Sequence, residues 1–470
     1  MKTFRIGGVH PSGNKLSANS AVRVAELPKV AVFPLSQHIG APAKAIVAKG
    51  DEVKVGQMIA EAGGFVSAAI FSSVSGKVAK IDTVVDASGY RKPAIIINVE
   101  GDEWMEGIDR SDDIVTLASM RDSLIASAPV AKDKEGNVIA QTDDEKLSSA
   151  IIEKVKNAGV VGMGGACFPC HVKLMPPPTA KAEFVIINGV ECEPYLTADH
   201  RLMLEKTEQV LIGVDLLMKA AKVKRGFIGI EANKPDAIEK MRAVAAKYPN
   251  IEIVPLKVKY PQGGEKQLVD AVVGRQIPAP PALPVSVGAI VQNVGTAYAV
   301  YEAVMKNKPL FERIVTVTGK SLANPSNLLV RMGTPMSQII DECGGLPEDT
   351  GKVIGGGPMM GKALVNTEVP VCKGSSGVLI MNEKEARRGE AQPCIRCAKC
   401  VSVCPMGLEP FLLATCSNLK DWDKVEKNGI TSCIECGSCQ FTCPSNRPLL
   451  DNVRVGKTTV MGIIRARSAK

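Results

Sequence analysis

Eight of the chain's fourteen cysteines fall into two runs, "CIRCAKCVSVCP" (Cys394–Pro405) and "CIECGSCQFTCP" (Cys433–Pro444). Each has the spacing C-x2-C-x2-C-x3-C-P, and the second begins 39 residues after the first. Thiolates spaced this way suit an iron–sulfur cube. One tight loop brings three sulfurs to three iron corners, and the fourth corner needs a ligand from farther away. Zinc is the competing use of C-x2-C pairs. Four cysteines per run, repeated with Pro405 and Pro444 in register, argue against it. The expected metal cofactors are two 4Fe–4S clusters.

The same run occurs in bacterial two-cluster ferredoxins, where the fourth cysteine of each motif crosses to the other cluster. The resemblance implies Cys394, Cys397, Cys400 and Cys443 on one cluster and Cys433, Cys436, Cys439 and Cys404 on the other. Cys343, Cys372 and Cys416 read as buried small hydrophobes. Cys167 and Cys170 share a C-x2-C spacing but have no second pair nearby, so their metal role is a minor alternative.

A second candidate is the glycine-rich stretch "GVVGMGGACFPCHVKL" (Gly159–Leu174). Gly162, Gly164 and Gly165 let backbone N–H groups approach a phosphate or a planar ring without Cβ interference. No Gly-Lys-Ser/Thr follows, so it is not a Walker loop. It follows a predicted helix, so it is not a dinucleotide fingerprint either. His10 and His38 are assigned no chemistry, and no Ser/His/Asp constellation is present.

Strands and helices must position these loops. From Ala41 to Asp82 the pattern alternates around glycine turns and predicts an all-β unit resembling the lipoyl/biotinyl hybrid barrel. Met58 to Gly76 contains no lysine, so a covalent swinging arm is not expected. From about Glu145 helices and strands alternate, which favours an α/β layer with a mainly parallel sheet. Leu147, Ile151, Ile152 and Val155 share a helical face, with Gly159 at its end. "FVIIN" (Phe184–Asn188), "GFIGI" and "IEIVPLKV" are strands. Asp199 to Val223 reads as one long helix, and Asn233 as the cap of a helix from Pro235 to Lys247. "QIPAPPALP" (Gln276–Pro284) reads as a linker. Beyond it "RIVTVTG" and "LVRMGTPMSQIIDECGG" suggest a β-grasp-like module, and a connector from Asn366 to Gln392 precedes the cysteine block. After Arg447, the residues Arg454, Lys457, Arg465, Arg467 and Lys470 face only Asp451, and read as a solvated or frayed basic tail.

The expected division is 1–110 for the barrel-sandwich hybrid, 111–275 for the α/β domain and 285–365 for the β-grasp-like (SLBB-type) module. The ferredoxin-type domain takes 390–450 and the basic tail 451–470. The fold class is thus multidomain, α/β with α+β.

Length and composition agree. A chain of 470 residues implies several cores, and 45% hydrophobic with 23% charged residues describes a globular protein. A net charge of +8 with 4% aromatic residues gives no footing for nucleic acid. The stretch nearest to a span, Val285–Val304, carries Ser286, Gln292, Asn293 and Glu302, so no membrane helix is expected. "MKTFRIGGVHPSGNK" lacks an apolar signal core, so the chain is expected in the cytoplasm.

The glycine loop is similar to the "GRGGAGFP…K" loop of the flavin-carrying 51-kDa subunit of respiratory complex I. "NGVECEPY" (Asn188–Tyr195) resembles that family's "NADE-x-EPG", and "YPQGGEKQL" (Tyr260–Leu268) its "Y-x-CGEETAL". The resemblance implies non-covalent FMN with NAD(H) as substrate, held by Gly162, Gly164, Gly165, Lys173, Asn188, Glu191, Gly263 and Glu265, with Phe168 as a nicotinamide platform. Two positions depart from the pattern: Val190 stands for an Asp and Gly264 for the first Glu of a pair. With "FRIGGVHP" and "PLSQHIGAPAKAIVAKGD" added, the chain from Phe4 to Leu450 resembles the RnfC family, the C subunits of the Rnf ion-translocating electron-transport complex. That family implies a peripheral subunit on the cytoplasmic face of the bacterial membrane. It passes electrons between NAD(H), FMN and two 4Fe–4S clusters, beside other Rnf subunits and, indirectly, ferredoxin. The competing readings are a soluble cobalamin reductase of the propanediol-utilisation type and an electron relay with a vestigial flavin site.

Overall fold

The computed structural model describes residues 1–133 and 135–468. At its centre lies a four-stranded parallel sheet of β1 (Phe184–Asn188), β2 (Gly226–Glu231), β3 (Ile251–Leu256) and β4 (Ala289–Asn293). The spatial order is β3-β2-β1-β4. β1 and β2 are buried almost throughout, as expected of strands covered on both faces. Around them pack α1 (Asp143–Asn157), α2 (Cys170–Leu174), α3 (Ala198–Glu205), α4 (Thr207–Ala220), α5 (Pro235–Ala245), α6 (Glu265–Val273) and α7 (Val294–Met305). α1 starts at a capping box in which Thr142 and Glu145 satisfy each other's free N–H groups. It ends at Ala158, with Gly159 at φ 63°.

Several sequence expectations are corrected here. β4 and α7 belong to this sheet, so "QIPAPPALP" lies within the crossover from α6 to β4 and the α/β unit runs past 275. The long helix from Asp199 is two helices meeting at Lys206. α5 is preceded by Lys234, with Pro235 in its first turn, so Asn233 is not its cap.

The barrel sandwich has two sheets. One holds Val30–Pro34, Arg91–Gly101, Ser75–Val85 and Glu52–Val53, and the other Lys44–Ala45, Met58–Glu61 and Ile70–Phe71. Residues before the barrel do not join it. Lys2 bridges to Leu256, Val9 bridges to Tyr260, and Arg23–Val24 pairs with Ser326–Arg331. The β-grasp sheet includes Gly377–Asn382 between Glu312–Thr318 and Thr350–Gly355, so part of the expected connector is a central strand. Lys373, 1% exposed, donates to Ala69 O and Gly159 O at 2.6 Å each. It thereby ties the β-grasp region to the barrel and the α/β domain.

The basic tail is a docked helix. Leu449–Ser468 packs on Pro410–Asn418 and buries Val453, Gly456 and Val460. Arg454 and Lys457 pair with Glu435, and Arg467 with Glu426. Val453 and Val460 sit seven apart on one stripe, which the charge count concealed. Lys470 lies outside the described residues. None of the described helices is long and apolar enough to cross a membrane.

Candidate functional site

In a 3-2-1-4 sheet the strand order reverses between β1 and β4, and open α/β sheets hold their ligand crevice beyond the carboxyl ends of the strands at such a point. Asn188 ends β1 and Asn293 ends β4, and the two are partners in register. Asn293 caps α7: its Oδ1 accepts from Gly295 N at 2.8 Å, and its Nδ2 donates to Asp199 Oδ2 at 2.7 Å. Asn188 Nδ2 donates to Gly263 O at 2.8 Å, and its Oδ1 accepts from Val190 N.

The glycine loop closes on itself through Gly162 N to Phe168 O (2.8 Å) and Cys170 N to Val160 O (3.0 Å). Met163 N donates to Thr296 Oγ1 at 2.9 Å and pins the loop to the first turn of α7. Gly164, Gly165 and Ala166 are exposed at the tip, while Phe168 is half-buried on the return limb. Gly165 has φ 116° with open space where a Cβ would stand, and a Cβ on Gly164 would meet Asn293 Cβ at 3.5 Å. Bare backbone thus borders the start of a twelve-residue helix, where N–H groups favour an anion.

The other expected residues are already engaged. Glu191, at φ 47°, accepts from Asp199 N (2.7 Å) and His200 N (3.2 Å), so its carboxylate caps α3. Lys173 Nζ contacts Glu265 Oε1 at 2.9 Å and Val291 O at 3.0 Å. Gly263 packs against Asn188, Val190 and Cys192. Gly164, Gly165, Asn188, Glu191 and Gly263 therefore gather around the crevice. Lys173 and Glu265 form an ion pair that also holds the backbone of β4.

Sequence reading missed Asn293, Asp199, Lys234 and Tyr260. Asn293 stands between a strand and a helix in "VQNVGT", a helix-cap signal hidden by assigning that segment to the next module. Burial, and then the charge of Glu191, push the Asp199 carboxyl up. Lys234 Nζ donates to Val190 O at 2.7 Å and holds the turn after β1.

Cys404, Cys433, Cys436 and Cys439 line one cavity with Pro405, Met406 and Leu408. Burial foremost, with a smaller part from the charge of Cys404, pushes Cys433 up to about 11 and Cys439 to about 12. Cys400 has Cys443 and Cys397 as its thiolate neighbours. The two runs repeat in backbone form: Arg396 and Ala398 in the first, and Glu435 and Gly437 in the second, all have positive φ. Backbone N–H groups face the sulfurs, with Leu408 N to Cys404 Sγ and Glu435 N to Cys433 Sγ at 3.4 Å. Among the described residues no three His, Cys, Asp or Glu side chains close on a single point. Four sulfurs ranged around a cavity, with N–H donors facing them, suit a cube with an iron at each corner. Cys167 and Cys170 are both buried, and Gln292 Nε2 donates to Cys170 Sγ.

The two halves of the site touch. Tyr260 OH donates to Cys436 O at 2.8 Å, and Gln267 Nε2 donates to Pro405 O at 3.2 Å. The Cys404 cavity therefore abuts the loop that holds Asn188. Cys394 and Cys397 are instead exposed, within a continuous exposed segment from Arg387 to Lys399.

Three family models match in chain order: the RnfC barrel sandwich hybrid domain over residues 2–102, the Nuo51 FMN-binding domain over 155–302, and the SLBB domain over 314–363. The chain is 44% identical to the C subunit of the proton-translocating ferredoxin:NAD(+) oxidoreductase complex of Clostridium ljungdahlii, across 88% of this chain and 84% of that one. It is 42% identical to the C subunit of the Na(+)-translocating ferredoxin:NAD(+) oxidoreductase complex of Acetobacterium woodii, across 98% and 97%. The C subunit of the ion-translocating oxidoreductase complex of Rhodobacter capsulatus is 39% identical, across 97% and 83%.

Proposed function

Because this chain belongs to the RnfC family, the C subunits of ion-translocating oxidoreductase complexes, we propose that it is the electron-transfer subunit joining NAD(H) to one-electron carriers in a ferredoxin:NAD+ oxidoreductase. The observation that carries this reading is the contact between the carboxyl-end region of the parallel sheet and a cysteine-lined cavity, made through Tyr260 and Cys436. The corrinoid-reductase alternative gives way to relatives that match nearly the whole chain, barrel included.

The residues fit FMN at the crevice: Gly164 and Gly165 leave a cradle that a side chain would fill, facing the first turn of α7. FMN, when bound, exchanges hydride with nicotinamide and single electrons with iron–sulfur clusters, and so converts two-electron into one-electron transfer. The chain's own part is positioning. Gly164 and Gly165 admit a flat group, Asn293 and Thr296 fix the loop, and Glu191 holds α3 at the crevice edge. Asn188 ties β1 to Gly263 and so to the loop that leads to Tyr260.

The clusters follow in order of burial. Cys404, Cys433, Cys436 and Cys439 hold the inner one, next to the α/β domain. Cys394, Cys397, Cys400 and Cys443 would hold the outer one, and the exposed segment around Cys394 and Cys397 would face partner subunits at the cytoplasmic face of the membrane. Ion translocation belongs to those partners, and ferredoxin is reached through them.

Iron, sulfide and flavin analysis of anaerobically purified protein tests this reading. About eight iron, about eight sulfide and one FMN per chain are expected. A relay without flavin is the second reading, favoured by the engagement of Lys173 and Glu191 with protein partners. It replaces the first if gently purified protein holds no FMN and gains no NADH:acceptor activity when FMN is added.

A further inference from the structure

The segment ahead of the barrel, residues 2–17, runs as a strap across both halves of the site. Lys2 Nζ donates to Val272 O, Thr3 Oγ1 to Gln262 Oε1 at 2.7 Å, and Arg5 pairs with Asp270, so the strap begins on β3 and α6. At Gly7 and Gly8 it meets the inner cysteine loop backbone to backbone. Gly8 N donates to Val403 O at 2.8 Å, and a Cβ on Gly7 would fall 2.5 Å from both the carbonyl carbon and the oxygen of Cys404. Gly7 also sits at φ 67°, so both its conformation and its clearance require glycine. Val9 then exchanges two 2.8 Å bonds with Tyr260, whose hydroxyl reaches Cys436 O.

The strap goes on to the loop after β1. Gly13 O accepts from Tyr195 N at 2.8 Å, and Ser17 Oγ bonds Thr197 Oγ1 at 2.7 Å. Lys15 Nζ donates to the carbonyls of Glu191 (2.9 Å), Glu193 (2.9 Å) and Leu196 (2.6 Å). Glu191 and Tyr195 both have positive φ, so this loop needs outside anchors to keep its shape. Lys15 supplies three of them.

From these contacts we infer that the strap is the positioning element that fixes the crevice loop against the cysteine loop of Cys404, with Gly7 and Lys15 as its two anchor points. This rests on the reading that electrons pass between those two places. Transfer between fixed centres depends on their separation, and one continuous strap bonded to both removes their freedom to drift apart.

Gly7→Val in the full chain tests it, with Gly13→Ala as control, since a Cβ at Gly13 meets only Lys15 Cγ at 3.7 Å. Oxidation of NADH by ferricyanide, which takes electrons at the flavin, stays within about twofold of wild type. NADH-driven bleaching of the clusters slows by more than that twofold margin, because transfer between fixed centres falls steeply with their separation. The paramagnetic resonance signal of the inner cluster shifts, while Gly13→Ala matches wild type in every reading. Gly7→Ala, the gentler change, falls between and serves if the valine variant does not fold. Cluster bleaching at the wild-type rate, or an equal fall of both half-reactions, overturns the inference. Amide exchange at Gly8, Val9 and Tyr260 reads the strap without any cofactor: protection is lost in Gly7→Val and kept in Gly13→Ala. Protection retained in Gly7→Val overturns the strap as an anchor. A wild type whose clusters NADH never reduces instead defeats the functional reading.

Discussion

Replacing Cys404 by Ser separates the crossed arrangement of cluster ligands from the uncrossed one. Cys404 belongs by sequence to the first run, yet its sulfur shares a cavity with Cys433, Cys436 and Cys439 of the second. If each cube holds four irons and the chain carries two, Cys404→Ser leaves about four of about eight irons. Pairs of changes decide which cube is lost, because two lesions in one unit do not add and lesions in separate units do. Cys404→Ser with Cys436→Ser stays near four irons, whereas Cys404→Ser with Cys397→Ser falls toward zero. An uncrossed arrangement inverts these two results. The assay is colorimetric iron and sulfide on anaerobically purified chain, with Mössbauer spectra to show that the surviving irons form a cubane. Near-zero iron in the Cys404/Cys436 pair together with about four in the Cys404/Cys397 pair would falsify the crossed reading. The second run's local structure should survive, because Tyr260 OH bonds the backbone of Cys436, not its sulfur.

Three further outcomes follow from the geometry. Gly164→Ala leaves the loop's fold intact, since its Cβ makes an ordinary 3.5 Å contact with Asn293, and its single methyl takes up only the edge of the cradle. Gly164→Val puts two further methyls into the space left for the flat group, and overpacking of about 1–3 kcal/mol against the bound group corresponds to roughly 5- to 150-fold in Kd. Flavin fluorescence titration measures this, and equal binding by both variants refutes it. Burial lowers Lys373 to about 7, so from about pH 7 upward the folded state sheds a proton that the unfolded chain keeps up to the ordinary lysine range. Stability from this group therefore rises with pH across that window, by at most about 1.4 kcal/mol per unit. Below it, protonation of the buried amine opposes folding. Lys373→Met should flatten the rise of the thermal midpoint between about pH 7 and 9, and an unchanged slope contradicts the assignment. Expressed with its partner subunits the chain pellets with membranes, and expressed alone it stays in the supernatant. A need for detergent when it is expressed alone points to an unrecognised anchor.

The two cysteine runs were legible in the sequence because three thiols of each come from one short loop, and loop spacing is a local property. The same locality made β1, β2, β3 and the turn at Gly159 readable: each depends on neighbours a few residues away. The glycine loop and its two companion segments could be picked out by resemblance, but not what their side chains do. Glu191 commits its carboxylate to the start of α3, and Lys173 its charge to Glu265 and the backbone of β4. Those partners lie between 8 and 118 residues away, where spacing carries no information. Strand order was likewise beyond reach. "QIPAPPALP" looks like a boundary because proline marks both linkers and crossovers, and only pairing of β4 with β1 shows which it is. The tail counted as basic and solvated until Glu435 and Glu426 met its cations and Ser417 met Gly456. "GGVHP" was a motif without a role, because the need for glycine at position 7 is set by the backbone of Cys404, at the far end of the chain. Local chemistry was written in the chain; which distant surfaces it serves was decided by packing, since burial and charge pairing act between residues that sequence order keeps apart.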